Sequence, residues 1–491
     1  MKTKHLVCRA LLHPDIGYTS GLRQLFAFVL LFTFVILFPV KAGCTPEDSP
    51  AVIPQGYAVS LELSPAQGFL QASALIRLEF NKPLASTLSF FLHETFRIDE
   101  LALNGRKVPF STTPAAREKT RPARQRVDIQ IEEETISAPH ADLLVRYSGS
   151  LKKLPQWGQQ KRGKPAMDDH IGPERIELAA YSGWYPHWPG LHWFNLKLQV
   201  IAPETWKIVA SGEMSDTHVQ SNKFYTNWKS LRTNDVVVLG SPNFREVQIP
   251  AGSDFGTISV LHTRLPLAFI RSEASEIAFA LKKFTQWLTP PLHAGTTLRH
   301  VYSPRELGQG GYARPGLIIT SEGRIHAALE TRPELSLMRG NAHELAHFWW
   351  NFGRDQGDWI NETFAEFFAL LALEAKGRVD EFSRLVSQYS EEVRGLPDGV
   401  PCLSKAAPEN SGHLYVIRYH QGAIMLQRFR TVMGNEAFLD ACRRFYLKFR
   451  ETGAETRDFR LFWSNQIGLE ATMVNRWLDI PRGGFTSGDA S

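Results

Sequence analysis

From Gln55 to about Pro250, apolar and polar residues alternate with a period of two. "YAVSLELS" puts Val59, Leu61 and Leu63 on one face, and "ASALIRLEF" does the same with Ala74, Ile76, Leu78 and Phe80. "FNLKLQVIAP" repeats the pattern with Phe194, Leu196, Leu198 and Val200. A period of two sends one set of side chains to each face of a half-buried strand, and "LNGRK", "APET" and "GSPN" supply the turns between strands. The pattern therefore predicts an antiparallel β domain over residues 50–250. After "PAGSDFG" the period lengthens. A helix is predicted over "SEASEIAFALKKFTQWL", followed by the apolar run "GLIIT". From Pro333 onward apolar residues recur at helical spacing: Leu335–Phe348, Trp359–Lys376, Glu381–Leu396, Tyr415–Val432 and Glu436–Phe449, with Gly377, Pro397 and Gly434 as stops. The expected fold class is α+β multidomain, with a mostly α-helical second domain over 251–483 and a short tail, 484–491. No repeat at a fixed period stands out.

The N-terminal 44 residues follow neither pattern. A polar lead carrying Lys2, Lys4, Arg9 and Arg23 precedes the apolar run Leu25–Val40, and "KAGC" follows it. Basic residues, an apolar run and then small residues form the layout of an export signal. The run is 16 residues long, between a cleaved signal and a spanning helix, so membrane attachment through this segment stays open. Cys44 after Ala42 and Gly43 resembles a bacterial lipoprotein cleavage site, although Lys41 stands where such sites carry an aliphatic residue. Each outcome puts the chain from Thr45 onward on the periplasmic or extracellular face.

Composition narrows the class. With 43% hydrophobic and 21% charged residues the chain reads as globular, and a formal charge of +5 over 491 residues gives no footprint for nucleic acid. The basic run Arg117–Arg126 reads as a solvated loop on the β domain. Of four cysteines, Cys8 and Cys44 belong to the N-terminal segment. Cys402 and Cys442 can pair in an oxidising compartment or stay as separate buried thiols; neither has a ligand-like cluster around it.

The chemistry concentrates in "GNAHELAHFWWNFGRDQGDWINETFAEFF", Gly340–Phe368. His343 and His347 are four apart on a predicted helix, so their imidazoles project from one face and can share one tetrahedral zinc ion. Glu344 lies beside the first histidine, where a general base acting on a metal-activated water belongs. A catalytic zinc takes a third protein ligand, and Glu362 and Glu366 share a face of the next helix. One can bind the ion while the other hydrogen-bonds a ligating histidine. The spacing alone leaves open which does which.

"HELAHFWWNF" followed by "DWINETFAEFF" resembles the zinc helix pair of the gluzincin metallopeptidases, in particular the aminopeptidase N and leukotriene-hydrolase family. There His-Glu-x-x-His leads into Trp-Leu-Asn-Glu-Gly-Phe-Ala, and the glutamate after asparagine binds zinc. The resemblance thus implies Glu362, beside Asn361, as third ligand and Glu366 as partner of a histidine. The family usually has about eighteen residues between the second histidine and this glutamate. This chain has 14, so literal counting would reach Glu366 instead. The surrounding residues outweigh the count, because a loop can shorten while a helix face cannot rotate freely.

Further segments match. "RYHQGAIML" resembles the stretch whose tyrosine stabilises the oxyanion, which implies Tyr419, with Tyr415 one turn earlier as competitor. "GGYARPGLII" occupies the place of the Gly-x-Met-Glu-Asn stretch, an edge strand that binds an extended peptide, which implies Gly311, Tyr312 and Ala313 along the substrate. Ala313 stands where the family has the glutamate that holds a substrate amine. "ELAAYSGWYP" resembles the β-domain segment facing the substrate N-terminus, which singles out Glu177; its alternative is a surface charge at a strand end. Trp184, Tyr185, Trp188 and Trp193 are expected to fill a domain interface. His187, His192, His413 and His420 read as ordinary histidines. Fewer than 60 residues follow Gly434, so the large helical C-terminal domain of many family members is not expected, and the cleft should be open.

The resemblance implies an exported zinc metallopeptidase with a thermolysin-like catalytic domain and a peptide substrate. Its requirement for a free N-terminus is expected to be relaxed. The rival is an exported or membrane-anchored binding protein that keeps the fold without turnover. The sequence leaves the oligomeric state open.

Overall fold

The computed structural model describes residues 52–80, 87–115, 124–131, 139–151, 170–190, 192–252, 255–292, 297–305, 311–332, 334–354, 358–406, 413–466 and 468–484. The expected export segment, residues 117–123 of the basic run and the tail from 485 lie outside these residues. Among the described residues no helix is long and apolar enough to cross a membrane.

The alternating runs become strands. Val52–Ser64 sits in the middle of an eight-stranded sheet, antiparallel to Phe69–Phe80 on one side and parallel to Phe194–Pro203 on the other. That parallel pair corrects the purely antiparallel expectation: a period of two reports which face is buried, not which way the neighbouring strand runs. The inward faces meet as forecast, with Leu61, Leu70, Ile76, Val145 and Val200 essentially solvent-free. Trp184, Tyr185 and Trp188 join this core, Trp184 donating from Nε1 to the Val236 carbonyl at 2.9 Å.

A second, five-stranded sheet follows, in the order Arg245–Pro250, Thr257–His262, Thr297–Ser303, Leu317–Ser321 and Gly311–Arg314. Residues 245–250, which periodicity groups with the first half, hydrogen-bond instead to Thr257–His262 of this sheet. Its two faces serve different cores. Ile258, Leu298, Tyr302 and Ile318 pack against helices, while Leu261, Val301, Leu317 and Ile319 join the core of the β half. Both faces are covered, which explains the unbroken apolar run "GLII".

The helices are α1 Leu267–Trp287, α2 Glu322–Thr331, α3 Met338–Ala346, α4 Asp358–Ala375, α5 Val379–Arg394, α6 Gly422–Met433, α7 Asn435–Phe449, α8 Thr456–Trp463 and α9 Ala471–Asp479. Those beyond α7 carry too few turns for periodicity to reveal, yet they bury Phe459, Trp463, Val474 and Leu478. α4 is apolar almost all round and forms the centre of the helical half, packed by α3, α5 and α6. Where a continuous helix from Tyr415 to Val432 was expected, Val416–Gln421 winds as a π-helical turn before α6. Cys402 and Cys442 are separate buried thiols.

Candidate metal centre

α3 carries the two histidines on its inner face. Its N-terminus is capped from another helix: Glu273 of α1 accepts from Leu337 N at 3.2 Å and from Asn341 Nδ2 at 2.7 Å. Regular helix ends at Ala346, but His347 keeps right-handed dihedrals (φ −63, ψ −11), so the one-turn spacing survives. The imidazole centroids lie 5.0 Å apart. Each ring has its Nδ1 occupied: His343 donates to Glu366 Oε2 at 2.9 Å, and His347 donates to the Trp350 carbonyl at 3.0 Å. Because those partners only accept, each ring keeps its Nδ1 proton and turns Nε2 to the space in front, where a metal ion would take the place of a second proton.

Glu362 fills that space. Its Oε2 is 3.4 Å from His343 Nε2 and 3.6 Å from His347 Nε2, and it is buried without a hydrogen-bond partner. His343, His347 and Glu362 form a cluster whose ligand atoms all lie within 4.8 Å of one another. Tetrahedral donors about 2.0–2.1 Å from zinc stand about 3.4 Å apart, so the spacing and the two-imidazole, one-carboxylate donor set fit this ion. The electrostatics agree. Burial alone would lower the imidazoles, but Glu362 and Glu366 outweigh it and hold His343 up at about 10. The pocket is built to stabilise positive charge.

Glu366, one turn along α4, does not face that space. It also accepts from Arg339 Nη1 at 2.5 Å and from the Tyr389 hydroxyl, and these donors together with His343 keep it well below the usual carboxylate range despite burial. Arg339 and Tyr389 escaped sequence reasoning. Arg339 stands one turn before His343 and is readable in principle; Tyr389, on α5, carries no local signal.

Glu344 turns toward the edge strand Gly311–Arg314. A Cβ on Gly311 would stand 3.1 Å from Glu344 Oε1 and 2.7 Å from the Ile319 carbonyl, so only glycine lets the strand and this carboxylate approach so closely. Burial raises the Glu344 carboxyl, opposed by His343 and His347. The π-helical turn presents Tyr419, whose ring stacks on His343 at 5.3 Å and 6°. Burial and then the Glu362 and Glu344 charges push its hydroxyl well above the ordinary phenol range, so it stays a proton donor. Tyr415 is half exposed and packs beside Tyr419 and His420.

Glu177 is neither a surface charge nor open. It is 2% exposed and held by Ser303 Oγ, by the Tyr312 hydroxyl at 3.3 Å, and by the guanidinium groups of Arg305 at 3.4 Å and Arg175 at 3.7 Å. Ala313 lies buried against the helical core. His420 Nδ1 lies 2.7 Å from a Glu392 carboxylate oxygen, and its ring stacks on Tyr389.

No protein-family model matches the chain, and no curated protein sequence matches it. Solved structures do. An M1 zinc metallopeptidase mutant from Deinococcus radiodurans, bound to a Tyr-Ser-Ala substrate, superposes with a TM-score of 0.65 at 17% identity, over 88% of this chain and 95% of that one. A two-domain M1 zinc metallopeptidase mutant bound to L-tryptophan gives 0.66 at 17%. Yeast LTA4 hydrolase in complex with bestatin gives 0.65 at 15%, covering 84% of this chain and 64% of its own. At these identities the shared property is the fold: a β-sheet half followed by a helical half, as in the two-domain M1 structures.

Proposed function

We propose that the protein is a zinc-dependent peptidase of aminopeptidase type with a relaxed requirement for a free N-terminus. The observation that carries this reading is the convergence of His343, His347 and Glu362 on one point, with Glu344 and Tyr419 beside it. Zinc held by those three residues would supply Lewis-acid chemistry for a water and the scissile carbonyl. Glu344, raised by burial toward the working range of a base, takes a proton from the attacking water and returns it to the leaving nitrogen. The Tyr419 hydroxyl donates to the oxyanion as charge builds on the substrate carbonyl. Gly311–Arg314 stands at a sheet edge, where an extended peptide can lie alongside as a further strand. Glu366 orients His343, and the helical half is then a thermolysin-like catalytic domain. Peptide and amino-acid ligands in the neighbours of like fold support this substrate class. The basic lead and apolar run before Lys41 support an exported enzyme.

The test is zinc content measured together with turnover of a mixed peptide library. About one zinc per chain, lost in His343→Ala, with peptide cleavage in the parent, is the expected result. A parent that binds no zinc ends this reading.

A further inference from the structure

Resting on the peptidase reading, we propose that the acyl side of the cleft is a carboxylate-recognising subsite built by Arg450 and Arg232, which selects peptides carrying a negative group on the amino side of the scissile bond.

The direction of the substrate follows from Glu344. This carboxylate returns the proton to the leaving nitrogen, so the leaving half lies where Glu344 meets the edge strand, at Gly311. The acyl half then runs toward the other end of that strand, at Pro315. There a shallow, open cleft lies beside the ligand His347, lined among others by Trp193, Pro315, Asn351, Tyr446 and Arg450.

The charge around this cleft is positive. The Arg232 guanidinium lies 5.2 Å over the Trp193 ring, and the Arg450 guanidinium lies 5.5 Å over Tyr446. Among the described residues, the Nε of each is buried without a hydrogen-bond partner. Burial lowers Arg232; Glu451 opposes this, and the nearby Arg354 charge adds to it by a smaller amount. Glu451 faces both: its main-chain carbonyl accepts from Arg232 Nη2 at 3.1 Å, while its carboxylate, 3.8 Å from Arg450 Nε, is half exposed and so weakened by solvent. Guanidinium groups stacked on aromatic rings keep their forks in plane and are ready for a carboxylate.

Among the described residues, the two positions expected to draw a free amine bring no net negative charge. Ala313 brings no charge, and Glu177 is neutralised by two buried arginines. Of these, Arg305 is 1% exposed and makes no side-chain hydrogen bond among the described residues. An α-ammonium group placed here would leave its water to meet more guanidinium than carboxylate. A succinyl group or an acidic side chain meets the opposite balance.

The zinc-loaded full chain is compared on matched peptides bearing a free, acetylated or succinylated N-terminus, and on an acetylated peptide with aspartate or asparagine before the cleaved residue. We expect the succinyl peptide to exceed the acetyl one by about 10- to 100-fold in kcat/KM, as one charge-assisted contact implies. The aspartate-to-asparagine ratio shows whether an acidic side chain serves equally. Both ratios should collapse toward one in Arg450→Gln and in Arg232→Gln/Arg450→Gln, whichever way the absolute rates move. Binding of the same peptides to zinc-loaded Glu344→Gln, followed by tryptophan fluorescence, should show the same order. If no peptide is cleaved but the order of binding holds, the subsite stands and the peptidase reading falls. A parent that prefers the free amine, or ratios unchanged in both arginine variants, overturns the subsite.

Discussion

Glu362 and Glu366 share one face of α4, yet a single turn gives them different tasks, and the difference is one of partners. Glu362 Oε2 meets two imidazole nitrogens and no hydrogen-bond donor; Glu366 is saturated by His343, Arg339 and Tyr389. We expect Glu362→Gln to empty the site, and Glu366→Gln to weaken zinc about 10- to 100-fold, as losses behind a ligating histidine do. Competition with a chelator measures both; the reverse order would exchange the two roles. Glu344→Gln should keep zinc and fold while turnover drops by about 100-fold or more, because the amide cannot accept the proton. Undiminished hydrolysis with zinc bound would remove Glu344 from the mechanism.

At the scale of elements, Tyr419 depends on how the π-helical turn meets α4. Thr363 Oγ1 donates to the Arg418 carbonyl at 2.7 Å. A Cβ on Gly422 would fall 1.9 Å from the same oxygen. Gly422→Ala therefore forces the turn off α4. It should cost about 1–3 kcal/mol in urea unfolding and lower turnover more than zinc affinity. A variant as stable and active as the parent would show that the turn is compliant.

A second contact between elements is sensitive to pH. Burial, and then the Glu276 charge, push the Glu273 carboxyl from 4.5 up to about 8. The folded chain therefore holds a proton that the unfolded chain has released between those values, and stability falls as pH rises across that window. Glu273→Gln removes the linkage, so its melting temperature should decline less than the parent's between about pH 5 and pH 8.5. Parallel declines would mean that Glu273 is ionised in the fold.

Across the whole molecule, the two halves meet at the edge strand Gly311–Arg314, and Asp235 is the fastening. It is 1% exposed and accepts from Ala180 N at 3.0 Å, from the Tyr185 hydroxyl at 3.2 Å and from Arg314 Nε at 2.7 Å. The first two lie in the β half and the third in the edge strand. Asp235→Ala leaves a largely buried guanidinium beside an empty site and should cost about 3–5 kcal/mol. KM for peptides should rise as the strand loosens. A loss below about 1 kcal/mol with unchanged KM would mean that the strand is held by its sheet alone.

What the sequence determined by itself is local. The period of two marked the β half, and the i, i+4 spacing brought His343 to His347 and Glu362 to Glu366, because strand and helix geometry map spacing directly onto faces. The tryptophan, asparagine and alanine around Glu362 singled out the carboxylate that packing sets against both imidazoles, even though the interval is four residues shorter than usual. Tertiary structure alone decided relations that no local period encodes. It set the parallel strand beside Val52–Ser64, the transfer of residues 245–250 to the second sheet, and the Arg339–Tyr389 clamp behind His343. It also buried Glu177 among Ser303, Tyr312, Arg175 and Arg305. Each joins segments far apart in the chain, and burial then fixes which charges neutralise one another. Spacing tells which residues can share a face; only packing tells what that face meets.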